Sequence, residues 1–237
     1  MKRVIFLSLA VVLLCQGCDK DKYHIFKSYV TRYCEYENID IDTTKSGNII
    51  ICGKGEVKQY SWRHKGEAKK KYEELCRTHN DLMYNKKREY HHSPEWGVYS
   101  AIDFREIDVV SNKDFDAEHP VGRSLKDVVR FVSISPKQFI DSGYKATFDW
   151  DNNEPEIFKK EKETARLFAY SESKNYFPIN GLLSDIGKDE MQMLPVNTHG
   201  ILFFDKQPTA EKEHSLTVTI YTREGKKFVR NITKVFK

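Results

Sequence analysis

The sequence has no long apolar run, no large excess of charge of either sign, and little glycine or proline. A helix that crosses a bilayer needs about 20 apolar residues, so a polytopic membrane protein is excluded. Only 12 glycines and 7 prolines occur in 237 residues, which excludes collagen-like and low-complexity chains. A net charge of +4 argues against a nucleic-acid-binding protein built on a basic face. The chain does have 14 Phe, 13 Tyr and 3 Trp, enough to bury a core.

Known catalytic motifs are absent as well. The sequence has no Gly-x-Ser-x-Gly, no His-Glu-x-x-His, and no glycine-rich loop for phosphate or dinucleotide. The cysteines beyond residue 18 form no Cys-x-x-Cys pair and no zinc-finger spacing. No cofactor is therefore predicted. These absences weaken an enzymatic interpretation without excluding it, and a hydrolase with an unrecognised motif remains one hypothesis.

The N-terminal residues show the pattern of a leader. Lys2 and Arg3 supply positive charge, and residues 4–14 form an apolar run interrupted only by Ser8. This run is too short to cross a bilayer but suits the apolar region of a secretory signal. We therefore predict that residues 1–17 are a signal peptide that is removed.

The end of the leader resembles a bacterial lipoprotein signal. Gly17 precedes Cys18. In such signals the thiol of the cysteine is lipidated, and the cysteine becomes the new N-terminal residue after cleavage. The departure is Cys15, which stands where Leu is usual. We predict that Cys18 is the lipid-attachment residue. The alternative is an ordinary secretory signal in which Cys18 is incidental.

Residues 18–22 form a short charged tether behind the lipid. Two or more acyl chains anchor a protein stably, because each buried CH₂ contributes about 0.8 kcal/mol. The expected partner of this segment is thus the membrane, which the lipid enters and the protein does not cross. We predict a location in the bacterial cell envelope at the outer membrane, on its surface or its periplasmic face.

Three cysteines remain beyond the tether, in a compartment oxidising enough for disulfides. Cys34 and Cys52 flank the turn-rich residues 42–48, so a hairpin there would bring them near each other. This pair is the disulfide candidate. A catalytic cysteine typically has a histidine partner, and Cys76 precedes His79 by three residues. This spacing is common by chance, so we interpret Cys76 as a small half-buried side chain.

The hydrophobic pattern predicts a β-rich α+β fold. Residues 23–62 alternate aromatic and polar side chains between glycines, which indicates two or three short strands. Residues 98–110 alternate with a period of two and are predicted as one strand. Apolar residues alternate again over 216–220, before a hairpin turn at 223–226 and a returning strand. The C-terminal region therefore predicts an antiparallel sheet or an immunoglobulin-like β-sandwich.

One long amphipathic helix is predicted near 66–86. Apolar residues and one histidine recur there at helical spacings: Ala68, Tyr72, Leu75, His79 and Leu82. Beyond the tether, residues 23–237 are predicted to form a single β-rich globular domain. A division near residue 97, into 23–97 and 98–237, is the alternative.

The most distinctive polar stretch contains alternate carboxylates followed by a histidine. Asp114, Asp116 and Glu118 can point the same way on an extended loop, and carboxylate oxygens suit Ca²⁺, which makes them a calcium candidate. The stretch lacks the glycine and glutamate positions of an EF-hand loop. The favoured interpretation is that Phe115 packs in a core while the acids cap backbone amides in a structured turn, and no metal site is predicted.

Exposed aromatic rings could bind sugars by stacking. The candidates are Tyr90, Trp96, Tyr99 and Trp150. Since aromatic residues make up 13% of the chain, core and strand positions account for most of them equally well.

Several segments together resemble a group of Bacteroidetes envelope lipoproteins of unknown function, over roughly residues 98–237. These segments are Ile107-Asp108-Val109-Val110, Asp114-Phe115-Asp116-Ala117-Glu118-His119-Pro120, Ser124-Leu125-Lys126-Asp127-Val128-Val129, Phe139-Ile140-Asp141-Ser142-Gly143-Tyr144, Gln207-Pro208-Thr209 and Leu216-Thr217-Val218-Thr219-Ile220. The resemblance implies an envelope lipoprotein and no particular activity.

Two binding hypotheses follow from these observations. The first is a non-enzymatic envelope lipoprotein that binds or scaffolds an unidentified protein or glycan. The second is a glycan-binding accessory lipoprotein of a carbohydrate-uptake system. No nucleic-acid partner is expected.

Overall fold

The computed structural model describes residues 27–85, 98–160 and 173–237. Within these residues the strands are β1 (Arg32–Thr43), β2 (Ile49–Ser61), β3 (Val98–Ser100), β4 (Phe104–Ser111), β5 (Val129–Ser135), β6 (Phe177–Leu182), β7 (Gly200–Phe204), β8 (Glu213–Thr222) and β9 (Lys227–Val235). The helices described there are α1 (Gly66–Thr78), α2 (Lys137–Asp141), α3 (Trp150–Asn153) and α4 (Glu156–Lys160).

The strands form two sheets. A six-stranded sheet has the order β3-β1-β2-β7-β5-β6, and a three-stranded sheet has the order β4-β8-β9. Neighbours are antiparallel except β1 and β3, which pair in parallel. The chain is therefore α+β and β-rich, as the hydrophobic pattern predicted. Strands from either side of residue 97 share the larger sheet, since β1 pairs with β3 and β2 with β7.

The predicted antiparallel sheet at the C-terminus is confirmed. Strands β8 and β9 pair from Glu213↔Val235 to Tyr221↔Lys227, and Gly225 adopts a φ of +82° in the turn between them. This left-handed conformation suits glycine. The strand order differs from the immunoglobulin arrangement, in which antiparallel sheets of four and three strands face each other.

The long helix predicted over 66–86 is wrong in length. Helix α1 ends at Thr78, and Asn80 has a φ of +57°, which is incompatible with a continuing helix. Immediately afterwards the buried carboxylate of Asp81 accepts the backbone N–H groups of Tyr29 and Val30. Tertiary hydrogen bonds thus turn the chain away from the helix, and Leu82, assigned to the buried stripe, is 42% exposed.

The single strand predicted over 98–110 is also wrong. It is divided into β3 and β4 by residues 101–103. Asp103 is buried at this break, where its carboxylate accepts the backbone N–H of Met193 and lies beside His79. A buried acid that must reach two partners bends the chain out of the ladder.

Apolar side chains form two clusters on opposite faces of the larger sheet. We call the first the aliphatic cluster; it lies between the two sheets and contains Ile39, Ile49, Ile51, Phe104, Ile107, Val109, Val129, Phe131, Leu202, Leu216, Val218 and Ile220. We call the second the tyrosine cluster; it lies against α1 and α2 and contains Tyr29, Tyr33, Tyr72, Leu75, Tyr84, Tyr99, Val132, Ile134, Phe139, Tyr144, Tyr176, Ile201 and Phe203. Strand β7 contributes side chains to both clusters, because its successive residues Ile201 and Leu202 point to opposite faces of the sheet.

Candidate functional site

The acidic loop between β4 and β5 is built from hydrogen bonds to its own backbone. Asp114 Oδ1 accepts the N–H of Val121 at 2.7 Å. Asp116 Oδ1 accepts the N–H groups of Glu118 and His119, both at 2.9 Å. Two of the three predicted calcium ligands therefore cap backbone amides, as the structured-turn interpretation expects. Phe115 is fully buried and belongs to the aliphatic cluster, also as expected.

His119 holds this loop together through both ring nitrogens. Its Nδ1 lies 2.6 Å from Asp116 Oδ1, and its Nε2 lies 2.9 Å from Asp127 Oδ1. Burial alone would lower the pKa of His119, but the hydrogen bonds and charges of the two carboxylates outweigh it and raise that pKa. The same contacts lower the pKa values of Asp116 and Asp127 despite their desolvation. The arrangement favours an imidazolium between two carboxylates.

This geometry bears directly on metal binding. Asp116, Glu118 and His119 each present one ligand atom, and these atoms lie within 4.8 Å of one another. Asp114 is not in the group. Ca²⁺ prefers six to eight oxygen ligands, whereas here one donor is a histidine whose two nitrogens already face carboxylates. The residues fit a charge-assisted turn better than a calcium site.

A second polar group lies inside the tyrosine cluster, and sequence reasoning did not predict it. His79 Nε2 lies 2.7 Å from Asp103 Oδ2, and His79 Nδ1 lies 3.1 Å from the hydroxyl oxygen of Tyr33. All three side chains are buried. An acid–histidine–hydroxyl series resembles a catalytic arrangement in composition, but substrate would have no access to these buried atoms. Their positions instead tie α1 to β1 and to the β3–β4 break.

Asp81 is the other buried acid of this cluster. It accepts the N–H groups of Tyr29 at 2.7 Å and Val30 at 2.8 Å, and the O–H of Tyr144 at 2.9 Å. Burial raises the pKa of Asp81 to about 6, although these hydrogen bonds oppose the shift. A sequence signal for it would have been an aspartate immediately after the last buried turn of a helix, but that pattern is also common on surfaces.

Cys76 is not an activated thiol. Burial and, to a smaller extent, the nearby charge of Asp81 raise its pKa to about 12. Nucleophilic cysteines need the thiolate form, which this environment disfavours. Cys76 is therefore a structural side chain, fully buried rather than half-buried as predicted. His79 is engaged by Tyr33 and Asp103 instead.

The proposed Cys34–Cys52 disulfide is not formed, and all three described cysteines are free. Across the β1–β2 ladder Cys34 faces Gln59, whereas Cys52 faces Asp40. At roughly 3.3 Å per residue, the two cysteines are about 20 Å apart along the hairpin, while a disulfide needs Cα atoms within about 7 Å. The hairpin was correctly predicted, but its register separates the pair.

The structure distributes the four aromatic candidates for sugar binding differently. Tyr99 is 2% exposed and donates its hydroxyl hydrogen to the Tyr176 hydroxyl at 2.6 Å, so it is a core residue. Trp150 is half-buried, donates its indole N–H to the Tyr176 carbonyl, and meets the ring of Phe148 edge-on at 4.8 Å. It borders an open cleft of about 640 Å³ that Asp149, Glu154 and Lys174 also line. Tyr90 and Trp96 lie outside the described residues.

The predicted leader, the lipid-attachment residue Cys18 and the tether 18–22 also lie outside the described residues. Among the helices that are described, none has the length and apolar character needed to cross a membrane.

Comparison of the chain with protein-family models, with curated proteins and with solved structures finds no match.

Proposed function

We propose that this chain is a lipid-anchored protein of the bacterial cell envelope whose β-rich part binds or scaffolds a partner. The observation that carries the proposal is the leader: Lys2 and Arg3, the apolar run 4–14, and Gly17 before Cys18. Lipidation at Cys18 places the anchor nine residues before Lys27, the first described residue. The outer membrane is its proposed location, and membership of the uncharacterised Bacteroidetes lipoprotein group is part of the same proposal.

The buried polar groups favour binding over catalysis. His79, Asp103 and Tyr33 bond to one another below the surface, and His119 is held between Asp116 and Asp127. Each histidine thus serves the packing of loops and elements. A binding role needs only surface features, which the cleft beside Trp150 and the edge strand β6, unpaired on one side among the described strands, supply.

Substitution of the anchor residue tests the proposal. We expect Cys18→Ala to abolish labelling by a clickable palmitate analogue and to move the protein from the membrane to the soluble fraction. Cys15→Ala is the matched control, because it alters the same leader and keeps Cys18. Unchanged labelling of the Cys18→Ala protein would rule out lipidation at this residue.

Glycan binding is the second candidate function, and the cleft beside Trp150 favours it. A half-buried tryptophan with neighbouring Asp149 and Glu154 offers both an apolar ring and acceptors for sugar hydroxyls. A glycan array probed with the wild-type protein and a Trp150→Ala variant tests this function. Absence of any bound glycan on the wild-type array would remove it.

A further inference from the structure

Strand β6 forms one edge of the larger sheet, and its hydrogen-bonding pattern fixes which backbone groups face outward. The N–H of Leu183 donates to the carbonyl of Val129 at 2.9 Å, just beyond the β5–β6 ladder. In an antiparallel pair such bonded positions alternate with non-bonded ones. Gly181, Ile179 and Phe177 therefore bond to β5. The alternate residues Pro178, Asn180 and Leu182 direct their backbone groups away from the sheet.

This outer edge offers a short row of hydrogen-bonding groups. Pro178 has no N–H, and the carbonyl of Leu182 already accepts the N–H groups of Asp185 and Ile186 at 2.9 and 3.1 Å. The remaining groups are the Pro178 carbonyl, the Asn180 N–H and carbonyl, and the Leu182 N–H. No hydrogen bond to these four groups occurs among residues 27–85, 98–160 and 173–237. The edge can therefore accept an extended segment centred on Asn180 but not a long strand.

Two hollows follow the same edge. They have volumes of about 490 and 430 Å³ and share Pro178, Ile179 and Glu190 in their walls. An added strand would place alternate side chains on either side of β6, and both hollows border this strand at Pro178 and Ile179. The edge thus combines backbone groups for affinity with space for side chains.

The walls of the hollows are acidic. They contain the carboxylates Asp141, Asp185, Asp189 and Glu190 against two basic side chains, Arg130 and Lys137. Both bases are already paired, Arg130 with Asp205 and Lys137 with Asp141. Asp189 pairs with Arg223 at the rim. Asp185 and Glu190 form none of the ion pairs between described residues, so the surplus charge along the edge is negative.

The backbone pattern permits two occupants of the edge, a second copy of this chain or an extended segment of another protein. Charge distinguishes between them. A second copy paired antiparallel through Asn180 would place the Pro178 carbonyl of each chain opposite the Leu182 N–H of the other, which satisfies the edge. It would also bring two identical acidic rims together, and like charges across an interface are unfavourable. A basic segment meets the same backbone groups without that repulsion.

We propose that the β6 edge binds a short, extended, lysine- or arginine-rich segment of another protein by adding it as a strand next to Asn180. This inference deepens the binding role proposed above and rests on it, but it does not require the lipid at Cys18. Backbone hydrogen bonds supply most of the affinity, and Asp185 and Glu190 select basic side chains.

The test uses the full-length protein in detergent micelles, so that it is independent of whether Cys18 is lipidated. The probe is a fluorescein-labelled hexapeptide, Lys-Val-Lys-Val-Lys-Val, followed by fluorescence anisotropy. A Glu-Val-Glu-Val-Glu-Val peptide has the same strand propensity and the opposite charge. We expect the lysine peptide to bind at least about tenfold more tightly than the glutamate peptide.

Two substitutions separate the contribution of the Asn180 backbone N–H to binding from that of the Asn180 side chain. Asn180→Pro deletes the outward N–H without deleting a ladder bond to β5, and it should weaken binding at least about tenfold. Asn180→Ala is the matched control: it keeps the N–H, loses only the bond from Arg130 Nη1, and should bind within about twofold of the wild type. If Asn180→Pro alters the circular dichroism spectrum, a lysine peptide N-methylated on alternate amides makes the same test with the wild-type protein.

Equal binding of the lysine and glutamate peptides, or of the N-methylated and unmodified peptides, would overturn the proposal. A dimer in analytical ultracentrifugation that Asn180→Pro converts to a monomer would overturn it in favour of a second copy. Loss of palmitate labelling in Cys18→Ala with peptide binding retained would support both proposals independently.

Discussion

The aliphatic and tyrosine clusters lie on opposite faces of the same sheet but are held together by different interactions. In the aliphatic cluster, branched side chains from β4, β8, β2, β5 and β7 meet by simple alternation. In the tyrosine cluster, aromatic rings surround two buried polar groups: His79 lies beside Asp103, and Asp81 accepts the O–H of Tyr144. Apolar packing tolerates small volume changes, whereas a buried polar network is destabilised when any single partner is lost.

The largest expected difference between the faces comes from deleting a buried acid. Asp103→Ala leaves His79 Nε2 and the Met193 N–H without their carboxylate, so we expect a loss of about 2–5 kcal/mol in the free energy of unfolding. Ile51→Val in the aliphatic cluster removes one buried methylene and should cost about 0.5–1.5 kcal/mol. Urea denaturation measures both. Equal losses in the two variants would contradict the distinction between the clusters.

Acid should affect the two faces in opposite directions. His199 contacts the ring of Phe104 in the aliphatic cluster, and burial lowers its pKa to about 4; the Pro195 backbone opposes this only in part. Neither ring nitrogen has a partner with hydrogen-bond geometry in the described part of the chain. The unfolded chain takes up this proton near pH 6.5, so His199 makes folding less favourable by about 3 kcal/mol as the pH falls from 6.5 to 4.

The contribution of Asp81 to folding stability changes in the opposite direction over nearly the same pH range. Its pKa is raised to about 6 in the fold, so the folded chain takes up the proton first. Its contribution is favourable below pH 4 and is lost as the pH rises through 6. Between pH 6.5 and 4 we expect His199→Leu to gain about 3 kcal/mol relative to the wild type, and Asp81→Asn to lose a similar amount. Parallel pH profiles of unfolding for these variants and the wild type would refute the assignment.

A smaller effect is expected at the loop that caps the aliphatic cluster. The raised pKa of His119 means that its stabilisation is complete below pH 6.5 and is lost as the pH rises through the folded value. Because the pKa values of Asp116 and Asp127 are lowered, the stabilisation that these two carboxylates contribute is lost only in stronger acid. Since Asp127 is 58% exposed, solvent screens the pair, and the effect should be about 1 kcal/mol or less.

His119→Gln should remove this loss of stability above pH 6.5, while leaving stability near pH 9 close to that of the wild type. Thermal unfolding over the range of pH 5 to 9 measures it. A His119→Gln protein that keeps the wild-type pH dependence would show that the two carboxylates do not hold an imidazolium.

The aliphatic side of the molecule was largely predictable from sequence. Alternation over 216–220 and the turn at 223–226 define the β8–β9 hairpin, because a period of two assigns each side chain to one face. In the tyrosine cluster, the same kind of pattern predicted the buried stripe of α1, for Tyr72 and Leu75. Such patterns are local, so neighbouring residues are enough to recognise them.

The polar contacts of the tyrosine side were not predictable in the same way. Asp103 occupied an alternate position in an apparent strand, where a solvent-facing acid is ordinary, and its partner His79 lies 24 residues away. The end of α1 depended on Asp81 reaching Tyr29, which is 52 residues earlier. For the acidic loop, the backbone caps of Asp114 and Asp116 were foreseen, but the contact of His119 with Asp127 requires the folded turn. Polar pairing at long range leaves no periodic trace in the sequence.

The proposed anchor remains the claim on which location and function depend. Mass spectrometry of the N-terminal peptide of the protein, extracted from membranes, tests it most directly. We predict that the peptide begins at Cys18 and carries the mass of a diacylglycerol on that residue. A peptide that begins elsewhere, or one in which Cys18 is unmodified, would contradict the proposal.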